Sequence, residues 1–299
     1  MGYNYTFVIP HKNTPALLAK CLDTIPQRDA VQVIVVDDNS DPSIVDFDNF
    51  PGLKRKNTIV VFDKSGKGAG NARNVALDRI VDTKWLVFAD ADDYFTPYLC
   101  EALDKYADSC YDMVYFNRHS VYLGTDEPAR RHQVANTRIK YALSTGDTNI
   151  IRYKDLAPVC KFVSYKLVRE NKVRFESIPF SNDVMFFLRV GCLSNSIRID
   201  ANVIYVVTDR EGSLMKTCSK ESHECRYLTA VRAVKLMKSF GVEQYHPNLF
   251  AYISGFLKVD KLLAVKCFFV SLKHTPVKYW AKDLCTCFRA VFEGDVRIA

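Results

Sequence analysis

The 299-residue chain is defined first by what it does not contain. No run of about 18 uncharged apolar residues occurs, so no segment is expected to cross a bilayer as a helix. The N-terminus, MGYNYTFVIPHKN, has neither a charged leader region nor a small-residue cleavage site, so it is not expected to be a signal peptide. Ten cysteines include no CxxC pair; Cys285 and Cys287 come closest, at a spacing that fits no zinc or redox motif. Reduced thiols in a cytoplasmic protein are therefore expected. His11, His119, His132 and His223 show no H-x-x-x-H spacing, and neither a GxSxG elbow nor a Cys–His pair is present. The glycines do not follow GxGxxG and no G-K-[ST] is found, which argues against a dehydrogenase or a P-loop ATPase.

Hydrophobic residues make up 48% and charged residues 25%, the balance of an ordinary globular protein. The 41 basic against 34 acidic residues leave +7, too mild to imply a nucleic-acid partner. Six of those seven excess charges lie between Glu211 and Ala299.

The first hundred residues alternate between strand and helix patterns. Tyr5–Ile9 reads as a strand ended by Pro10, and Thr14 as the cap of a helix reaching about Ile25, with Pro15 at its first position. Val31–Val36 has the β-branched, doubly apolar character of a strand buried in a parallel sheet. Thr58–Phe62 and Trp85–Ala89 read as further strands, with a helix from about Asn71 to Ile80 between them and another beginning near Pro97. Met113–Phe116 and Val203–Val207 read as strands, Ser164–Glu170 and Val184–Val190 as helices. Arg118–Thr148 is polar and mixed, and is expected to be mobile or substrate-facing. Successive βα units imply an α/β fold with a mostly parallel central sheet, which places ligands at the carboxyl ends of the strands. A helical region follows from residue 216. The expected division is 1–215, with halves 1–110 and 111–215, and 216–299.

The chemistry concentrates at two of those strand ends. Asp90-Ala91-Asp92-Asp93 puts three carboxylates within four residues, and their repulsion would be relieved by a hard divalent ion such as Mg²⁺ or Mn²⁺. The alternative is a solvated turn in which one Asp caps the next helix. Asp37-Asp38 can accept hydrogen bonds from a base or ribose. The loop from Gly66 to Asn74 brings backbone close to a ligand and offers Arg73 as a rigid donor, or simply as a surface residue.

Five segments, in order, resemble the motifs of the family 2 glycosyltransferases, which have a GT-A fold: FVIPHKN, VIVVDDNSD, GAGNARNVALD, WLVFADADDYFTP and VCKFVSYKLVRENKVRFESIPFSNDVMFFLR. The likeness extends more loosely to TDREGSLM and covers roughly the first 215 residues. It implies that Pro10 and His11 lie in the first nucleotide-contacting loop, where a Tyr is commoner than His11. Asp38 would contact the base, Arg73 would lie near the nucleotide, Asp90 near the ribose and Asp92 on the metal. Asp183 would be the catalytic base, although it also precedes an apolar helix and so suits an N-cap. The Glu that precedes the base in the family is replaced by Asn182. Arg210, or Lys161, would add a positive contact to the diphosphate.

The family's Gln-x-x-Arg-Trp motif of processive synthases is absent, since neither Trp85 nor Trp280 follows an Arg. The resemblance thus implies a metal-dependent, inverting, non-processive transfer of a hexosyl or N-acetylhexosaminyl unit, with a UDP-sugar as the first expectation for donor. The acceptor would be a glycan or lipid-linked glycan of a bacterial surface polysaccharide. The rival readings are a catalytically silent nucleotide-sugar-binding scaffold and a nucleotidyltransferase. Between Leu249 and Phe292 aromatic residues, among them Trp280, Phe288 and Phe292, alternate with Lys258, Lys261, Lys266, Lys278, Lys282 and Arg289. Such a basic, aromatic-rich helical region suits peripheral contact with the inner face of the cell membrane, a helical cap on the catalytic domain, or a dimer contact.

Overall fold

A strand that is apolar on both faces is stable only where both faces are covered. Val31–Asp38 forms such a strand, β2, in the computed structural model, which describes residues 2–125, 127–210 and 217–293, with side chains as far as residue 286. It lies between β1 (Tyr3–His11) and β3 (Thr58–Asp63), parallel to both. β4 (Thr83–Phe88) pairs parallel on the other side of β1. Four further strands complete the sheet: β5 (Tyr94–Phe95), β6 (Met113–Tyr122), β7 (Lys161–Ser164) and β8 (Ile197–Asp209). The order is β3-β2-β1-β4-β7-β6-β8-β5. β7 runs antiparallel to β4 and β6, and β8 parallel to β6. The sheet is mixed and mostly parallel, as expected.

Helices cover both faces. On one, α1 (Pro15–Asp23) and α3 (Tyr98–Tyr106) pack Leu18, Leu22, Leu99 and Leu103 against Phe7, Val33, Trp85 and Phe162. On the other lie α2 (Ala69–Leu77), α4 (Gln133–Thr145), α5 (Asn149–Lys154), α6 (Tyr165–Glu170) and α7 (Val184–Leu193). They pack Ala76, Ile139, Ile151, Val168 and Phe186 against Ile34, Phe88 and Val163.

Three expectations need correcting. β1 does not end at Pro10 but carries through it to His11. Pro10 lies beyond the last β1–β4 pair, on a stretch with only β2 as neighbour, where a residue without an N–H is tolerated. Thr14 occupies the N-cap of α1 without a side-chain cap bond, and that helix ends at Asp23. Arg118–Thr148 is also more regular than its polarity implied. β6 extends to Tyr122, and α4 buries Ala135, Ile139 and Ala142, residues too small and sparse to make a strong apolar stripe.

The helical region consists of α8 (Lys220–Ser239), α9 (Ile253–Val259), α10 (Lys261–His274) and α11 (Trp280–Glu293). α8 docks on α7, where Ala233 and Met237 meet Met185 and Leu188. The expected boundary at 215/216 lies outside the described residues, as do the side chains of Cys287, Phe288, Arg289 and Phe292. None of the nine described cysteines is bridged. Among the described residues no helix is long and apolar enough to cross a membrane.

One packing contact positions everything that follows. Gly70 in the first turn of α2 lies so close to the loop before α7 that a Cβ there would sit 2.4 Å from the Glu176 carbonyl oxygen and 2.8 Å from the Asn182 Cβ. Gly to Ala inside a helix ordinarily stabilises by about 0.5–1 kcal/mol. Gly70→Ala is expected to reverse that sign, costing about 1–3 kcal/mol as overpacking does. Thermal denaturation of the variant checks this.

Candidate functional site

The carboxyl ends of β1, β2 and β4 lie side by side, and each is followed by a polar turn. At the end of β1, His11 is fully buried and both ring nitrogens are engaged. Nε2 accepts the Thr14 N–H at 3.1 Å, so Nδ1 carries the proton that it donates to Asp37 at 2.8 Å. Asp37 also accepts the Ser40 hydroxyl at 2.5 Å and the Ser40 N–H at 3.0 Å. The His11–Asp37–Ser40 set thus holds the β1 and β2 turns together from inside.

Asp38 points the other way, as strand alternation requires. Its two oxygens lie 3.1 and 3.0 Å from the Gly68 N–H, with the Lys12 ammonium at 3.7 Å. Burial pushes its pKa up, and the Gly68 N–H and Lys12 oppose that. Gly68 has a φ of +87°, a conformation that favours glycine, and it turns its N–H onto Asp38 before α2 starts.

The three carboxylates after β4 have separate partners. Asp93 is buried: its Oδ1 accepts the Thr208 N–H of β8 at 2.7 Å, and it is bonded to the Tyr205 hydroxyl. Burial, reinforced by Asp90 and Asp92, raises its pKa well above the usual carboxylate range. Asp90 and Asp92 stay half-buried, and each meets an arginine. Asp92 Oδ2 accepts from Arg210 Nε at 2.7 Å, and Asp90 Oδ1 accepts from Arg73 Nη2 at 2.8 Å.

Arg73 connects the halves. It is 4% exposed, its Nη1 donates to Asn182 Oδ1 at 3.1 Å, and its guanidinium sits 5.4 Å from the centre of the Phe175 ring. Asn182 precedes Asp183 at the start of α7. Asp183 occupies the N-cap position, but its carboxylate makes no cap bond to the helix. Burial raises its pKa, and the charges of Arg73 and Lys161 pull against that. The structure therefore gathers Asp90, Arg73, Asn182 and Asp183 into one cluster, with Asp92 and Arg210 beside it and Asp38 at the glycine loop.

Lys161 does not reach this cleft. It is fully buried, donates to the Asp155 carbonyl oxygen at 2.6 Å and lies over the Tyr115 and Phe187 rings at 4.9 and 4.7 Å. Burial pushes its pKa down to about 8. Asp155 is ion-paired with Arg118; burial alone would raise its pKa, but Arg118 and Lys161 hold it below the usual value. This inner cluster was missed in the sequence. Its one signal is a lysine between Cys160 and Phe162, inside an apolar run where a strand has no solvent face.

Among the described residues no three His, Cys, Asp or Glu side chains form a ready-made metal cage. Asp92, with its side chain 24% exposed, offers one carboxylate. That set suits a Mg²⁺- or Mn²⁺-type ion that completes its shell with phosphate oxygens and water, and it does not suit a structural metal.

The model of the family described as "Glycosyl transferase family 2" matches residues 6–188. The poly(ribitol-phosphate) beta-glucosyltransferase of Bacillus spizizenii is 28% identical over 70% of this chain and 33% of its own length. The succinoglycan biosynthesis protein ExoW of Rhizobium meliloti is 27% identical over 65% of each. The chain thus spans a third of one relative and about two thirds of the other. Among solved structures, S. aureus TarS 1-349 in complex with UDP-GlcNAc superposes with a TM-score of 0.63 at 18% identity, over 98% of this chain and 92% of that one. The mannosyltransferase PcManGT of Pyrobaculum calidifontis, in complex with GDP-Man and Mn²⁺, superposes with a TM-score of 0.53 at 16% identity, over 98% and 82%. With its family model matched over most of the sheet and both faces of the cleft, the chain belongs to glycosyltransferase family 2 and has the GT-A fold.

Proposed function

We propose that this protein transfers one sugar per encounter from a nucleotide-diphosphate sugar to a hydroxyl of a glycan or lipid-linked glycan, with inversion, in surface polysaccharide synthesis. A UDP-sugar is the proposed donor, and residues 1–215 the proposed catalytic unit, acting in the cytoplasm. The observation that carries this reading is the Arg73 bridge, which sets the acidic turn after β4 against the start of α7, where Asp183 stands with no cap bond. The relatives' names and the nucleotide-sugar complexes of similar folds support the choice of substrates.

Each residue then has a task. Pro10 and the turn it opens would border the base, with His11 acting from inside as the brace of that turn. Asp38 would contact the base, its position fixed by the Gly68 N–H. Asp90, oriented by Arg73, would contact the ribose. Asp92 would hold Mn²⁺ or Mg²⁺, which when bound neutralises charge on the diphosphate leaving group. Arg210, now on Asp92, would turn its charge toward the same diphosphate. Asp183 would take the proton from the acceptor hydroxyl as that oxygen attacks the anomeric carbon; a single displacement inverts the centre. Asn182 keeps an oxygen acceptor for Arg73 where the family has Glu, which argues against a silent scaffold.

Two outcomes test the roles. Asp92→Ala is expected to abolish the Mn²⁺-dependent part of UDP binding in a calorimetric titration run with and without EDTA; unchanged binding with Mn²⁺ would remove Asp92 from the metal site. Asp183→Asn is expected to leave donor affinity within about twofold while kcat falls by about 10²–10⁴, the usual contribution of a positioned base. Equal losses in both would mark structural damage.

The pH dependence has a definite sign. The base must be ionised to act, and burial raises the Asp183 pKa, so kcat falls as the pH drops through that raised value. The acid limb of the kcat profile is expected above the ordinary aspartate pKa of about 3.9. A limb at or below that value would count against Asp183 as the base.

A further inference from the structure

α10 has two apolar faces, and only one of them is covered. On the inner face Ala264, Cys267 and Ser271 are buried against α8, where the Tyr227 hydroxyl donates to the Cys267 carbonyl oxygen at 2.7 Å. On the outer face Leu262, Val265 and Phe269 are 68%, 53% and 64% exposed. Their spacing of three and four residues puts them in one stripe, opposite the buried face. Lys266 and Lys273 flank that stripe on one side and Lys261 on the other. None of the three is ion-paired with a described carboxylate, whereas Lys220 and Lys278 are. From Lys261 to Lys282 the sequence contains five lysines and no Asp or Glu.

The charge decides the occupant. A second copy set face to face on this stripe would bring the lysines of both copies together, a like-charge contact that opposes association. An anionic lipid surface reverses the sign: apolar side chains enter the acyl boundary while lysines stay at the headgroups. We propose that the outer face of α10, centred on Leu262, Val265 and Phe269 and rimmed by Lys261, Lys266 and Lys273, docks on a bilayer surface containing anionic lipid. The inference is independent of the transfer reaction, and its test contains neither donor nor acceptor.

The test is co-sedimentation of the full chain with vesicles of phosphatidylcholine alone and of phosphatidylcholine with phosphatidylglycerol, at low and high salt. Expected is partition onto the anionic vesicles that weakens with salt. Replacing Lys261, Lys266 and Lys273 by Gln should lower it about 10²-fold, at roughly fivefold per lysine near the surface. Leu262→Gln with Phe269→Gln should lower it by about tenfold or more with the melting temperature unchanged; if that pair unfolds the chain, Phe269→Gln alone is read instead. The proposal is overturned if the wild type fails to partition at low salt, or if the apolar variants bind as well as the wild type, which would mean adsorption by charge alone. It is equally overturned if light scattering shows a wild-type dimer that the apolar variants convert to monomer while no form binds vesicles.

Discussion

A guanidinium that is 4% exposed is costly unless its charge is paired and its donors are used. Arg73 pairs its charge and uses both terminal nitrogens, leaving only its buried Nε without a partner, by drawing one partner from each half of the cleft: the Asp90 carboxylate from the turn after β4 and the Asn182 amide oxygen from the loop before α7. The ring of Phe175 covers its flat side, and Gly70, one turn earlier in α2, lets the helix approach the loop closely enough for the bond to form. The two sides of the proposed site are therefore held by a single buried cation. Its choice of partner also matters. A Glu at position 182 would put a second carboxylate on Arg73 and spend more of its charge there. Asn182 accepts the same hydrogen bond without a charge, leaving more of the guanidinium's field to act on Asp183.

The acidic turn solves its own repulsion by the same device. Three carboxylates in four residues are kept apart in environment: Asp93 turned inward onto Thr208 and Tyr205, Asp90 on Arg73, Asp92 on Arg210. Tyr205 adds a second tie, since its hydroxyl accepts the Asp90 N–H at 2.9 Å while bonded to Asp93. The turn is thus anchored to β8 by backbone and hydroxyl bonds, and its two ion pairs, one on the buried Arg73 and one on the half-buried Arg210, face the cleft. Such a division leaves Asp92, on the half-buried Arg210, as the carboxylate that can change partner without uncovering a buried charge.

Strand ends and their carboxylates were legible because β-branched runs stop abruptly at Asp-rich turns, and a parallel sheet puts such turns on one edge. Direction was harder to read. Asp37 and Asp38 are identical in composition and adjacent in sequence, yet strand alternation turns one inward onto His11 and Ser40 and the other onto the Gly68 N–H, and which of the two faces inward depends on partners from other elements. His11 was placed at the right edge, but its burial depends on the Thr14 N–H and Asp37 converging on one ring, which no local pattern encodes. Lys161 was expected at the diphosphate, but its burial with Arg118 was not legible: both belong to strands, and their partner Asp155 comes from the end of α5, so the cluster exists only in three dimensions. α4 was obscured because its inward face is built from two alanines and one isoleucine.

The helical region is more than an appendage to this arrangement. Arg232 of α8 pairs with Glu176 at 2.9 Å, and Cys225 of α8 donates to the Phe180 carbonyl oxygen at 3.1 Å. Both contacts brace the loop that presents Asn182 and Asp183. Below them, α8 packs on α7 through Met185 and Leu188, and on its other side it holds the inner face of α10. A continuous series of packed helices therefore runs from the outer face of α10 to the residue proposed as base. Packed cores deform little, so a surface that seats α10 also fixes the attitude of α7. Were the acceptor held in the same bilayer proposed to seat α10, that rigidity would set the height and angle at which its hydroxyl meets the proposed base Asp183.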